Sequence, residues 1–269
     1  MKQTIISRFL AVALMMTTGN LAANAGWTDN LSPYDLNAPL GWATVDGNVT
    51  GGEGGTKVTV TNKTELMNAL KGTDKKIIYV DGEIEFSGLT NVKSVQNKTI
   101  IGMKGAAFVN SKHSASVSET GIMQLSSCKN IILRNIIFKS AGAYDIDGND
   151  NLTIIGSTYI WVDHCDFQDG VDGNFDCVNG SDNICVTWCR FRYLIAPWAG
   201  GSGGSNDHRN CDLWGNSDKR SGDEGHLRTT FANCWWDEGC SERMPRVRFG
   251  QVHIQNCLYS SSNAHYCIG

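Results

Sequence analysis

One pattern constrains the fold of this chain more than any other. Four segments, TYIWVDHCDF, DNICVTWCRF, RTTFANCWW and GQVHIQNCLY, fall into register on Cys165, Cys189, Cys234 and Cys257. An earlier segment, KNIILRNIIF, fits the same template with Ile136 in the cysteine slot. The successive gaps are 29, 24, 45 and 23 residues: one period near 24, one slightly longer turn and one turn carrying a long insertion. Each unit is a short β-branched or aromatic run with alternating polarity, bounded by Gly, Asn, Asp or Ser. Single supersecondary units at such a period make a solenoid. With short strands and almost no helical periodicity, the predicted fold is all-β, a right-handed parallel β-helix.

In that architecture equivalent positions on adjacent coils stack about 4.8 Å apart. The repeated cysteines then form an inward ladder of small apolar side chains, most of them buried thiols. The alternative for ten cysteines is one or more disulfides, with Cys177, Cys185, Cys211, Cys240 and Cys267 outside the main ladder as candidates. One helix signal stands out. Asn62-Lys63-Thr64-Glu65 has capping-box spacing, Leu66, Ala69 and Leu70 share a face, and Gly72 is a stop. It is expected just before a first strand at 77–80, closing the open end of the solenoid as a terminal cap. At the other end no polar cap follows Tyr266-Cys267-Ile268, so the 26–269 β-helix domain is expected to be C-terminally incomplete.

Residues 1–25 read as a secretory signal. Lys2 and Arg8 precede the apolar run 9–16, and Ala23-Asn24-Ala25 supplies a small-x-small cleavage pattern. The run is too short to span a bilayer, so a protein secreted beyond the cytoplasm, without a membrane span and monomeric, is expected. Removing that segment takes two basic residues from a balance of 23 Lys and Arg against 27 Asp and Glu, leaving 21 against 27. A chain this acidic is a poor nucleic-acid binder. A polyanionic ligand needs some local attraction.

Candidate chemistry gathers on the loops. The longest, 193–225, reads YLIAPWAGGSGGSNDHRNCDLWGNSDKRSGDEG, and long loops on a repeat scaffold tend to carry function. Its glycine run lacks the strand, helix and Lys-Ser/Thr context of a phosphate loop. QDGVDGNFDCVNGSDN places Asp172 and Asp176 four apart, and AYDIDGNDN offers Asp145, Asp147 and Asp150 one coil earlier. Stacked coils bring such loops together, and carboxylates without His or Cys suit Ca²⁺ better than Zn²⁺. Ordinary turn carboxylates are the competing reading. Arg243, Arg246 and Arg248, in SERMPRVRFG, follow the long loop; they either pair with the carboxylates or grip substrate carboxylates with their forked donors.

WVDHCDF (161–167), DGNFD (172–176) and above all RMPRVRFGQVHIQN (243–256) resemble the polysaccharide lyase family 1 pectate lyases, and the likeness runs from about Trp27 to Gly269. The chain looks like a bacterial member of that family. The resemblance implies β-elimination of α-1,4-linked polygalacturonate (pectate, pectin) to 4,5-unsaturated products, with Ca²⁺ bridging protein and substrate carboxylates. It implies Asp150, Asp172 and Asp176 as Ca²⁺ ligands, with a further acidic ligand of some members falling at Gly148 and Asp147 as its possible substitute. It implies Arg243 as the residue that takes the C5 proton and Arg248 as a substrate-binding arginine. Arg246 is a further substrate-binding candidate, and Asp163 and His164 are structural. Since Arg normally stays protonated, placement over the proton must carry Arg243's role. One departure matters: related sequences read like YLKAP where this chain reads YLIAP, so Ile195 takes the place of a substrate-binding lysine. Arg209 or Lys219 are the cations that could compensate. The alternatives are a pectin lyase acting on methyl esters, a non-catalytic pectin-binding β-helix, and hydrolysis by paired carboxylates.

Overall fold

The computed structural model describes residues 38–215 and 220–269. The proposed signal segment 1–25 and Lys219 lie outside the described residues. Within the unit 39–269, three parallel sheets of eight, six and seven strands carry the chain. Their strand order follows the chain, because each coil lays one strand on each sheet in turn. One coil runs through Leu152–Ile155, Thr158–Asp163 and Asp166–Gln168, and the next through Phe175–Val178, Asp182–Thr187 and Arg190–Arg192. Every ladder is parallel and in register, with Ile160 beside Ile184 and Phe167 beside Phe191. This is a parallel β-helix, as the period requires.

The repeat also explains its own turns. The residue before each ladder position, Asn135, His164, Trp188, Asn233 and Asn256, has φ between 50° and 57°. A left-handed residue swings the chain from the long strand into the next short one and turns the following side chain inward. Asn tolerates this backbone well, a bulky Trp does not, so Trp188 is held there by the stack of coils. Cys165, Cys189 and Cys234 are buried as expected, and Cys257 is half-buried on the last coil. Each thiol donates to the carbonyl two residues back, at 3.5, 3.4, 3.6 and 3.3 Å respectively. All ten cysteines are free thiols. Beside them Phe138, Phe167, Phe191, Trp236 and Tyr259 stack ring on ring, with centroids 4.8–5.3 Å apart.

The capping helix forms over Lys63–Leu70 and buries Leu66 and Leu70 against the first coils. It does not precede the first strand: Thr56–Val60 comes earlier and pairs with Lys76–Val80, so the helix links the first two strands of the long sheet. Asn62 Oδ1 accepts from Glu65 N at 3.0 Å, while Glu65 Oε2 reaches one residue further back, to Thr61 N at 2.8 Å. The hydrogen bond to Thr61 holds the Glu65 carboxyl below its ordinary range. Asn62→Ala should cost about 1 kcal/mol of stability, read by urea denaturation; an unchanged midpoint would show that packing alone holds the helix.

Candidate active site

The outward face of the six-stranded sheet builds the site. One row of stacked positions reads Asn91, Gln124, Thr153, Asp176, Leu213 and Arg246, and the neighbouring inward row reads Val92, Leu125, Ile154, Cys177, Trp214 and Val247. Strand alternation therefore sets the polar residues of successive coils side by side above an apolar core. A cleft of about 460 Å³ opens over the later coils, lined by Asp145, Asp147, Asp172, Asp176, His208, Arg243 and Arg246.

Asp150 lies beneath that lining. It is buried, with Oδ2 accepting from Thr153 Oγ1 at 2.8 Å. A Cβ placed on Gly173 would sit 2.8 Å from Asp150 Oδ1 and 3.4 Å from Asp176 Oδ1, so the two carboxylates converge on a cradle that only glycine leaves open. Burial first, then the charges of Asp176 and Asp172, push the Asp150 carboxyl well up. Burial likewise raises Asp176 to about 8, although Leu213 N donates to its Oδ1 at 2.9 Å and Arg243 opposes the shift. The cluster holds more negative charge than its cations neutralise.

The arginines separate. Arg243 and Arg246 both line the cleft; Arg243 has φ 58°, and its Nε is buried without a hydrogen-bond partner. Arg248 is exposed at the end of the strand and is not part of the lining. Arg209 is also outside the lining, and its guanidinium forks onto Asp207, with Nε to Oδ1 and Nη2 to Oδ2 both at 2.6 Å. Asp163 and His164 stand on the long sheet, away from the cleft. Asp163 is fully buried there between Arg134 Nε at 2.9 Å and Thr187 Oγ1 at 2.6 Å, a structural brace.

Sequence reasoning missed His208. Its Nε2 lies 2.7 Å from Asp172 Oδ1 and its Nδ1 3.3 Å from Asp145 Oδ1. Asp145 in turn accepts from Gly203 N through its carbonyl and from Ser205 N through its carboxylate, at 2.9 and 2.7 Å. A Cβ on Gly203 would stand 2.1 Å from Asp145 Oδ1, so this approach needs glycine. The long loop is thus laid along the cleft wall and clasped by His208. No spacing rule could have found a contact 36 residues apart across an irregular loop.

The donor chemistry fits a hard cation: oxygen donors that converge on an open cradle and repel one another when ionised. Among the described residues, however, no three His, Cys, Asp or Glu side chains stand close enough together to hold a metal ion by themselves. The carboxylates fit a cation that a further oxygen donor must help to hold. Without such a cation, stability should depend on pH. Asp176's folded value of about 8 lies above its ordinary 3.8, so between these limits the folded chain binds more protons than the unfolded one. By linkage, stability then falls as pH rises through that window. Chelator-treated protein should melt at a lower temperature near pH 8 than near pH 5, and Ca²⁺ should narrow the gap. A melting temperature that rises with pH in chelator would contradict the burial of these charges.

Coils stacked in parallel, with an acidic cleft that Arg243 and Arg246 also line, define the class as a parallel β-helix protein with a carboxylate-rich cleft on its six-stranded sheet. The chain belongs to the pectate lyase family, whose model matches residues 32–269. It is similar to a pectate trisaccharide-lyase of Thermotoga maritima, 32% identical over 82% of this chain and 57% of the relative. It is also similar to pectate lyase E of Dickeya chrysanthemi, 30% identical over 98% of this chain and 70% of the relative. Among solved structures it resembles the thermostable pectate lyase PL 47, with TM-score 0.68 and 25% identity over 90% of this chain and 75% of that one. A pectate lyase of Bacillus subtilis matches with TM-score 0.66 and 24% identity over 87% of this chain and 73% of that one. The chain spans about 60% of the length of several of the curated relatives, 60% for a probable pectate lyase B of Aspergillus terreus.

Proposed function

We propose that the protein is a Ca²⁺-dependent pectate lyase that cleaves α-1,4-linked polygalacturonate by β-elimination and leaves 4,5-unsaturated oligogalacturonides. The observation that carries this reading is a cleft lined by Asp172, Asp176 and Arg243, with Asp150 buried beneath it and facing Asp176 across Gly173, on a chain that belongs to the pectate lyase family. The chemical problem is a weakly acidic C5 proton beside a carboxylate that resists further negative charge. Ca²⁺, when bound, supplies the positive charge that neutralises the substrate carboxylate and orients it.

The chain's own residues do the rest. Asp150, Asp172 and Asp176 would hold the cation only together with a further oxygen donor, which a substrate carboxylate can supply. Arg243 lines the cleft with its Nε buried and without a hydrogen-bond partner; it would take the C5 proton in its neutral guanidine form, the only form with a lone pair to accept it. Arg246 lines the cleft beside it and would grip a neighbouring uronate. Asp147 lines the cleft where Gly148 has no side chain to offer, which keeps it as a candidate ligand. Export through residues 1–25 and action outside the cytoplasm complete the reading. No helix among the described residues is long and apolar enough to cross a membrane.

The test is the ultraviolet absorbance of the unsaturated product. It should rise when the protein meets polygalacturonate with Ca²⁺ and stay flat with EDTA. A folded preparation that produces reducing ends without the absorbance would instead make it a hydrolase. Calorimetric binding with no product would make it a pectin-binding β-helix.

A further inference from the structure

The stretch that departs from the family pattern is also the most exposed apolar surface of the long loop. Leu194, Ile195 and Trp198 are 48%, 40% and 40% exposed. They are not loosely held. Asp169 Oδ1 accepts from the backbone N of both Leu194 and Ile195, at 2.7 and 2.8 Å, and Trp198 Nε1 donates to Ala141 O at 2.8 Å. Trp198 also stacks on His113, with ring centroids 3.9 Å apart, and its backbone bridges Tyr144. Holding the backbone of Leu194 and Ile195 and the ring of Trp198 this firmly leaves a preorganised apolar platform, and solvation does not explain it.

The platform stands on the same loop that walls the cleft, outside the cleft's own lining. From Ile195 the loop passes Trp198 on Ala143, then Gly203 and Ser205 on Asp145, then His208 on Asp172, so one wall runs from the apolar patch into the carboxylate cluster. Its charge is wrong for a free uronate. Asp169 lies under its start and Asp145 at its far side, while nearby cations are already engaged: Arg192 by Asp166 at 2.6 Å and Arg209 by Asp207 at 2.6 Å. A carboxylate set here would lose hydration and meet no unpaired cation among these groups. A methyl ester brings no charge, and its methyl group finds Ile195 and Leu194.

We propose that Leu194, Ile195 and Trp198 form a subsite for a methyl-esterified galacturonate, so that the substrate is partially esterified pectin, with free uronates at the carboxylate cluster and a neutral ring beside it. This rests on the lyase reading of the same cleft. The apolar ring face packs on Trp198, and the ester lies over Ile195. One methyl group in an apolar contact discriminates about 10-fold or more, enough to set the preference.

The experiment uses the full chain with saturating Ca²⁺ at a pH where free imidazoles are neutral. Calorimetry and initial rates compare polygalacturonate with partially methyl-esterified pectin for the wild type, Ile195→Lys and Ile195→Ser. Expected is wild-type binding to the esterified chain at least as tight as to the acid form. Ile195→Lys should shift the preference toward the acid form by about 10-fold, and Ile195→Ser should weaken it without reversing it. Wild-type protein that disfavours the esterified chain as strongly as Ile195→Lys does overturns the subsite, even if polygalacturonate is cleaved. An ester preference in binding with no unsaturated product from either polymer leaves the subsite standing and removes the lyase.

Discussion

Arg243→Ala should lower the rate of unsaturated-product formation about 1,000-fold, and Arg243→Lys nearly as much, while KM for polygalacturonate changes by only a few-fold. The expectation comes from position. Arg243 lines the cleft beside Asp172 and Asp176, with its Nε buried and without a hydrogen-bond partner. A buried guanidinium nitrogen without a partner is costly, and it becomes productive only if the substrate completes it. Its φ of 58° puts it in a conformation that non-glycine residues seldom adopt, and Asp212 N donates to its carbonyl at 2.7 Å, so the backbone fixes where the side chain starts. Lysine keeps the charge but loses the planar fork and the nitrogen at that depth. Uniform binding would be lost equally in both states, so a fall in kcat with KM little changed is the signature of a group acting in the transition state. Steady-state kinetics with Ca²⁺ in excess decide it. An alanine variant that keeps a tenth of the wild-type kcat would assign the proton to another residue.

Legibility followed the repeat. A 24-residue period made the parallel coils and the buried cysteine ladder readable, because each coil must place like residues on like positions. The same logic expected loops one coil apart to gather Asp150, Asp172 and Asp176; the structure sets Asp150 facing Asp176 across Gly173, while Asp172 Oδ1 is held by His208. Arg243, which the family resemblance singles out, lines the cleft. The limits are equally physical. The strand Thr56–Val60 was not expected, since its alternation is only two valines long, Val58 and Val60, and lies outside the cysteine-marked repeat. The fork of Arg209 onto Asp207 spans two residues and looks from sequence like a free cation. His208 reaches Asp145 and Asp172 across an irregular loop, where neither period nor propensity specifies distance. Ile195 shows the opposite case. The sequence flagged it as a missing lysine, and only the exposed neighbours Leu194 and Trp198 turn that absence into a surface with its own chemistry.

Asp176→Asn should act in opposite directions on two measurements. Cation affinity should fall about 100-fold, since a carboxylate at ligand distance from a divalent ion contributes several kcal/mol even at an effective dielectric near 20. Chelator-treated protein should become more stable, because the asparagine spares the fold a carboxylate that ionises only near pH 8. The shape is conserved: Asn Oδ1 can still accept from Leu213 N, which now sits 2.9 Å from Asp176 Oδ1. The gain should be largest at alkaline pH and vanish below the ordinary carboxyl range, where Asp176 is protonated in both states. Asp163→Asn supplies the contrast, since Asp163 is fully buried but matched by Arg134 Nε at 2.9 Å and Thr187 Oγ1 at 2.6 Å. Removing that charge strands a buried cation, so Asp163→Asn should destabilise with or without Ca²⁺. Melting curves in EDTA and in Ca²⁺, with calorimetric titration of Ca²⁺, separate the two. If Asp176→Asn destabilises the chelator-treated protein as Asp163→Asn does, the cleft carboxylates are internal braces and the cation-binding role falls. If it raises stability and abolishes Ca²⁺ binding together, the strain in the cluster is what the cation relieves.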